Sequence, residues 1–462
     1  MTGTLTSDTE TRTVRTVRAG RPGPGPVRCA VGDLLLADLP VSVVLFHEHP
    51  LDPDALAAGL ARALDRLPEF AGRLRTDDHG GGGSGSGSGS GDLWIDTDDS
   101  GVPFTVADAP YTLTEALDRM VLPNSGLVDH VRAAEARREP LPLLTVRLNR
   151  LTDGTCALGV SWHHAVGDMQ TFALLLRTWS ACTEGTDLPE PVRAPDRDAQ
   201  LDAHLPAEDC GTPALRLPDP AESAELRRAV ATAALANRTV QIWFSPAETA
   251  RLRAAHSAEA GRRLSTNDAL CAHLLHVLRE VDGAGDEEQT LTVPVNLRRV
   301  LGLPDTTLGN LLGEIRLPYR PGTAPARYAA ELRTAVEEFT EKHLSVRSNL
   351  RFLEQVGRDR VTECVPIGFD PARRTLTLSS WCRLGLQDLP LAGHRPVAFS
   401  PAATLQLPWT SWLVEGPRGE GHLYTLVLPA RTAAKLRTAS ALLHPHRHPD
   451  DPGPAVAPRK LL

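Results

Sequence analysis

Two α/β domains are the architecture this chain predicts. Three observations carry that reading: a length of 462 residues, strands and helices mixed through both halves, and a stretch at 184–222 rich in Pro, Asp and Ala. The stretch has poor periodicity and reads as a crossover linker between the domains. At about 100–200 residues per domain, the length implies two or more domains, each large enough for its own core. The formal net charge of −8 is spread over both signs. That disfavours nucleic acid as a partner, because phosphate binding needs a basic face. No run approaches the ~18 consecutive apolar residues of a membrane span, and 1–26 lacks the apolar centre of a signal peptide. The 7 cysteines include no CxxC pair. Neither a disulfide scaffold nor a metal site is supported, so reduced thiols in a cytoplasm are expected.

The elements follow in order. Residues 1–26 are polar, rich in Pro and Gly from Gly20, and read as a flexible N-terminal arm. The first domain is placed at 27–183. Its residues 41–46 (VSVVLF) are β-branched and apolar, a strand. Asp52 and Pro53 give an N-cap followed by proline at the first helical position. Leu56, Leu60, Leu64 and Leu67 recur at helical spacing, so 53–67 is an amphipathic helix. Residues 70–75 (FAGRLR) and 93–96 (LWID) read as a hairpin whose oversized tip is the run GGGGSGSGSGSG at 80–91. Residues 143–151 (LLTVRLNRL) alternate as a strand with one wet face. The turn Thr152-Asp153-Gly154 returns the chain into 155–162 (TCALGVSW), a more apolar, central strand. A helix over 169–180 then puts Met169, Phe172, Leu176 and Trp179 on one face.

The second domain is placed at 223–442, with strands at 239–244, 290–295, 376–381 and 423–428. Ser265 and Asp268 have the spacing of a capping box, opening a helix to about 281. Further helices are read at 324–344 and 430–440, and the His- and Pro-rich 443–462 is a loose tail.

The chemistry concentrates at 161–168 (SWHHAVGD), where a central strand ends and a helix is about to begin. The carboxyl end of a strand is where α/β folds place reactive side chains. His164 titrates near neutrality and can act as a base. Asp168, four residues on, holds the loop by pairing with a cation or by favouring the helix dipole. His163 and His164 are adjacent and point opposite ways on a strand, and no third-ligand spacing accompanies them, so no metal site is read here. So short a pattern alone leaves catalysis and a merely polar strand end equally open.

The rest of the sequence decides between them. The stretch 144–179, with SWHHAVGDM, resembles the strand–HxxxD–helix unit of the BAHD acyltransferases. Residues 70–75 resemble that family's AGRL segment, and 264–275 (LSTNDALCAHLL) its Ser-capped helix. Residues 295–310 (VNLRRVLGLPDTTLGN) and 378–399 (LSSWCRLGLQDLPLAGHRPVAF) resemble its NxRxRL…P…GN and TSW…DFGWGKPVAF blocks. One departure is clear. DFGWG falls on Pro390-Leu391-Ala392-Gly393-His394, without its acid or its Trp. A bacterial or otherwise divergent branch would account for it.

The resemblance implies two chloramphenicol-acetyltransferase-like α/β domains with a channel at their interface. It places the Gly/Ser run at a hairpin tip inside the first domain, as a natural insertion or an engineered loop replacement. It implies an acyl-CoA-dependent enzyme acylating a hydroxyl or amine of a small molecule, plausibly a specialised metabolite, with acyl-CoA as co-substrate and no bound cofactor. His164 would be the general base, and no acyl-enzyme would form. Asp168 would be structural, pairing with Arg298. Either Trp381 or Ser379 would stabilise the oxyanion. Ser265 and Thr266 would approach the CoA side, although a helix cap explains them fully. Arg262 and Arg263 would meet CoA phosphates or simply be solvated. The expected protein is a monomer without nucleic-acid or membrane partners. Two alternatives stand beside this: a stand-alone condensation-type enzyme taking its acyl group from an acyl carrier protein, whose HHxxxD motif also matches 163–168, and a non-catalytic ligand-binding relative.

Overall fold

The computed structural model describes residues 3–7, 10–76, 92–187, 190–206, 211–283, 285, 287–342, 345–367, 375–402, 407–454, 456, 458, 459 and 461. Its strands in chain order are β1 (Gly3–Ser7), β2 (Glu10–Val17), β3 (Val27–Arg28), β4 (Pro40–His47), β5 (Arg73–Thr76), β6 (Leu93–Asp96), β7 (Val102–Asp108), β8 (Leu144–Arg150) and β9 (Cys156–His163). Then come β10 (Leu215–Arg216), β11 (Asn237–Phe244), β12 (Gln289–Asn296), β13 (Leu312–Tyr319), β14 (Val365–Pro366), β15 (Thr375–Ser380), β16 (Ala398–Pro401), β17 (Thr410–Glu415) and β18 (His422–Pro429).

Two mixed sheets organise the molecule. The first has the order β1-β2-β7-β8-β9-β4-β16 and the second β11-β18-β17-β15-β12-β13. In the first, β9 runs between β8 and β4, and all eight of its residues are buried. That explains its near-continuous apolar sequence. The strand β8 also buries six of its seven residues, so its alternation does not mark a wet face. Arg147 and Asn149 occupy the positions read as wet, and they are buried by hydrogen bonding to each other and to Asp129 and backbone carbonyls.

Helix Pro53–Arg66 packs on helix Met169–Glu184, where Trp179 Nε1 donates to the Leu56 carbonyl at 2.9 Å. Gly59 makes that approach possible, since a Cβ there would lie 2.5 Å from Thr183 Cγ2. Trp162 on β9 stacks on Phe172 of the same helix, with centroids 3.8 Å apart.

Several expected boundaries are corrected. The segment read as a flexible arm contains β2, which pairs with β7 from Arg12↔Ala107 to Val17↔Val102. The crossover at 184–222 carries the helix Arg197–His204, capped by Asp196. The tail read as loose is docked: Leu443 is buried, and His444 Nδ1 meets Glu248 Oε1 at 2.8 Å. The second half is not self-contained either, because β16 leaves it to pair with β4 in the first sheet.

The Gly/Ser run at 80–91 lies outside the described residues. The strands flanking it, β5 and β6, pair in register from Arg73↔Asp96 to Thr76↔Leu93. Loop closure changes by only ~0.6 kcal/mol per doubling of length. Replacing 80–91 with a tight turn is therefore expected to leave the fold and its activity intact and to move the melting temperature little. Loss of turnover would mean that the tip reaches the reaction site.

One detail of the second sheet positions the site. Parallel pairing of β12 with β15 covers only Thr290↔Thr375 to Thr292↔Thr377, although both strands continue. Beyond it the strands separate, and Pro294 and Asn296 on one side face Ser379 and Ser380 on the other across a cavity.

Candidate active site

The chain leaves β9 at His163 and passes through a single 3-10 turn, His164–Val166, before helix Met169–Glu184 begins. Gly167 sits in this turn because a Cβ would lie 2.6 Å from the Thr171 side chain. Asp168 is the N-cap of the helix, its Oδ1 accepting from Thr171 N at 3.0 Å. Its Oδ2 accepts from Arg298 Nη1 at 2.7 Å and from Leu311 N at 3.0 Å. Both carboxylate oxygens are thus occupied away from the His164 ring.

Arg298 is fully buried and uses all five of its N–H donors. They go to the Thr307 carbonyl at 2.7 Å, Asp168 at 2.7 Å, Asn296 Oδ1 at 3.2 Å, Thr171 Oγ1 at 3.1 Å and the Gly309 carbonyl at 2.8 Å. A buried cation is tolerable only when paired and hydrogen-bonded in this way. The cluster also joins the first-domain helix to the loop that precedes β13.

The two histidines have different work. His163 accepts from Ala165 N and donates to the Ala133 carbonyl, and burial pushes its pKa down to about 4. It is a neutral structural group. His164 Nδ1 lies 2.9 Å from Asn310 Oδ1. Asn310 Nδ2 donates to Asp33 Oδ1 at 2.7 Å and to the His164 carbonyl at 2.8 Å, and both of these can only accept. The amide orientation is therefore fixed, and Asn310 Oδ1 must accept. So His164 Nδ1 carries the proton and Nε2 holds the free lone pair. Burial lowers the pKa of His164, opposed by the backbone, Asp168 and Asn310. The ring stays neutral and basic at physiological pH.

Behind Asn310 stands Asp33, fully buried. Its Oδ1 accepts from Asn310 N and Nδ2, and its Oδ2 from Ala30 N at 2.8 Å and Arg197 Nη1 at 2.9 Å. Arg197 belongs to the crossover segment. A chain of charge-assisted hydrogen bonds thus runs Arg197–Asp33–Asn310–His164 and holds the tautomer. Sequence reasoning missed Asn310, Asp33 and Arg197. Asn310 closes the GN segment already singled out, but Asp33 lies 277 residues from it in the chain.

His164 lines a cavity of about 280 Å³ with Ser379, Trp381, Trp162, Met169 and Trp412. A second cavity, of about 230 Å³, runs along β13 past Asn310. Leu36, Pro294 and Leu312 line both, so the two cavities adjoin beside the loop that carries His164. Trp381 Nε1 donates to Ser379 Oγ at 2.9 Å, which leaves the Ser379 proton available to a ligand.

Ser265 caps helix Thr266–Asp282, accepting from Asp268 N at 3.1 Å, and neither Ser265 nor Thr266 lines either cavity. Arg262 bonds Glu337 and Thr334 and is not free for a phosphate; Arg263 is exposed and lines neither cavity. The degenerate block at 390–394 still packs onto the end of helix Met169–Glu184. Ser180 Oγ donates to the Pro390 carbonyl at 2.6 Å and Gly393 N to Glu184 Oε1 at 2.9 Å. Backbone contacts there do not depend on the missing acid and Trp. No helix among the described residues is long and apolar enough to cross a membrane, and no group of three metal-ligating side chains occurs among them.

Comparison with known proteins places the chain in a family and matches its fold. The model of a transferase family matches residues 28–438. Agmatine coumaroyltransferase-1 of Hordeum vulgare is 25% identical over 379 residues, spanning 79% of this chain and 82% of that protein. The crystal structure of vinorine synthase superposes with a TM-score of 0.67 at 20% identity, covering 94% of this chain and 96% of the other. F. graminearum TRI101 complexed with coenzyme A and T-2 mycotoxin gives a TM-score of 0.71 at 16% identity, covering 89% and 97%. The chain belongs to this transferase family, the BAHD acyltransferases, enzymes that move acyl groups other than amino-acyl groups onto small-molecule acceptors.

Proposed function

We propose that the protein transfers an acyl group from acyl-CoA to a hydroxyl or amine of a small-molecule acceptor, with His164 as general base and no covalent acyl-enzyme. One observation carries the reading: the Asn310 contact places the proton on Nδ1 and leaves Nε2 basic in a ring that lines a cavity shared with Ser379. Nε2 takes the proton of the acceptor as its oxygen or nitrogen attacks the thioester carbonyl. The carbonyl π pair moves onto oxygen, and the Ser379 hydroxyl donates to that oxyanion. Trp381 Nε1–H, already given to Ser379 Oγ, polarises this donor. Collapse expels the CoA thiolate, which takes the proton back from His164. Two adjoining cavities would let donor and acceptor approach from separate directions, which supplies the proximity that catalysis of a two-substrate reaction needs.

A coenzyme A donor is supported by the fold shared with TRI101, whose structure holds coenzyme A. Related proteins act on both kinds of nucleophile, as the names agmatine coumaroyltransferase-1 and limonoid 21-O-acetyltransferase indicate. The cavity at His164 is walled by Leu, Val, Met, Trp and Pro together with the neutral polar side chains of Ser42, Gln170, Asn296, Ser379, Ser380 and Thr410, and among the described residues its titratable lining groups are His164 and Asp168. It suits an apolar acyl chain or ring. The deciding experiment supplies purified protein with a panel of acyl-CoAs, or with the same acyl groups on a carrier protein, against pooled hydroxyl and amine metabolites. Turnover with acyl-CoA is expected. Turnover with the carrier thioester alone would overturn the donor assignment.

The oxyanion roles can be separated. Ser379→Ala is expected to lower kcat by about 10²-fold, the cost of one direct donor. Trp381→Phe is expected to cost less, because it only weakens that donor. The reverse order in steady-state kinetics would make the indole N–H the direct contact.

A further inference from the structure

The cavity along β13 is lined by an acid, Glu314, one of whose oxygens is enclosed without a hydrogen-bond partner among the described residues. Glu314 lies opposite Pro294 of β12 and lines this cavity. The other charged side chains there are already committed: Arg197 donates to Asp33, and Asp198 accepts from Val31 N at 2.9 Å and Arg358 at 3.1 Å. Arg316, two residues along the strand, spends its guanidinium on the carbonyls of Ala214 and Ile367. Glu314 Oε1 is enclosed and has no hydrogen-bond partner among the described residues. Burial raises the pKa of this carboxyl, against a weaker opposing effect of Arg316. An enclosed carboxyl without a partner destabilises the fold. Its location in a largely apolar cavity gives it a use only when something binds.

The strand sets its place relative to the reaction. Leu312 and Glu314 are two apart on β13, so they share a face about 7 Å from each other. Leu312 is one of the three residues that line both this cavity and that of His164. Glu314 thus lies one side-chain spacing beyond the wall that its cavity shares with that of His164, the distance an apolar spacer would have to bridge.

We propose that Glu314 is a recognition site for a cationic nitrogen of the acceptor, a protonated alkylamine or a guanidinium, carried beyond an apolar spacer from the group that is acylated. The word acceptor rests on the acyl-transfer reading; the cation site does not. A carboxylate repels the phosphates of coenzyme A, and a neutral hydroxyl would leave its charge uncompensated in an apolar cavity. A cation both pairs with it and satisfies the enclosed oxygen's surroundings.

The test is equilibrium binding at pH 8, with no acyl donor present. Calorimetry compares n-hexylammonium with 1-hexanol, which share an apolar chain and differ in charge, on the wild-type protein and on Glu314→Gln. The wild type is expected to prefer the ammonium at least tenfold, and the variant less than twofold. Glu314→Leu, read the same way, serves if the amide disturbs folding; melting curves report this, and neither variant is expected to melt lower. A preference that both variants retain, or a wild type without one, overturns the site. Because no turnover is measured, failure of acyl transfer with every thioester would sink the acyltransferase assignment and leave this ratio standing. Conversely, loss of the ratio would leave acyl transfer untouched.

Discussion

His164→Ala is expected to lower kcat by about 10²–10⁴-fold, the range that a positioned general base supplies. The accompanying loss of stability should be small, near 1 kcal/mol, because Asn310 Oδ1 loses its donor while the rest of the loop keeps its partners. Kinetics and melting on the same preparation separate the two effects. The pH profile gives an independent check. The active form of His164 is neutral, and burial lowers its pKa. The acid limb of kcat/KM should therefore fall below the ordinary value of ~6.5, with a plateau through neutrality. A midpoint above 6.5, or a variant that keeps full turnover, would remove His164 from the role of base.

Asp168→Ala is expected to damage folding and activity together, by about 3–5 kcal/mol of stability, since it strands the buried guanidinium of Arg298. It also removes the cap of helix Met169–Glu184 and the acceptor of Leu311 N. Denaturant unfolding reads the first effect. Replacing both partners, as in Asp168→Ala with Arg298→Met, should recover part of the stability without recovering turnover, because the loop around Gly309 and Asn310 loses its tie to the helix. Normal stability with normal turnover in Asp168→Ala would contradict the whole account of this ion pair.

Local pattern made much of the fold legible. The Asp52-Pro53 start, the apolar β9 and the Ser265 box each encode their own element, and the structure has a helix or strand at all three. Elements lacking a strong local signal were not readable. In β2 the sequence ETRTVRTV alternates, but with Thr and Arg where a core strand would have Leu or Ile, and its pairing with β1 and β7 makes it a strand. The helix Arg197–His204 has few apolar residues and is held by Arg197 and Leu201, which are buried against the rest of the protein. At the site, His164 and Asp168 announce themselves by spacing. The hydrogen bonds that give His164 its tautomer come from Asn310 and Asp33, brought together only by the tertiary fold.

The strand β16 has a consequence for how such enzymes can be recombined. It is contributed by the second half of the chain, yet it forms the border of the first sheet beside β4. A chimera assembled from two relatives by joining them in the crossover would carry its seam inside that sheet, with a foreign strand laid on β4. It would also separate Arg197 from Asp33 if the join fell before residue 197. Exchange of halves between acyltransferases of this kind is thus constrained by backbone register at this border strand, in addition to the Asp168–Arg298 and His164–Asn310 contacts that cross the same join.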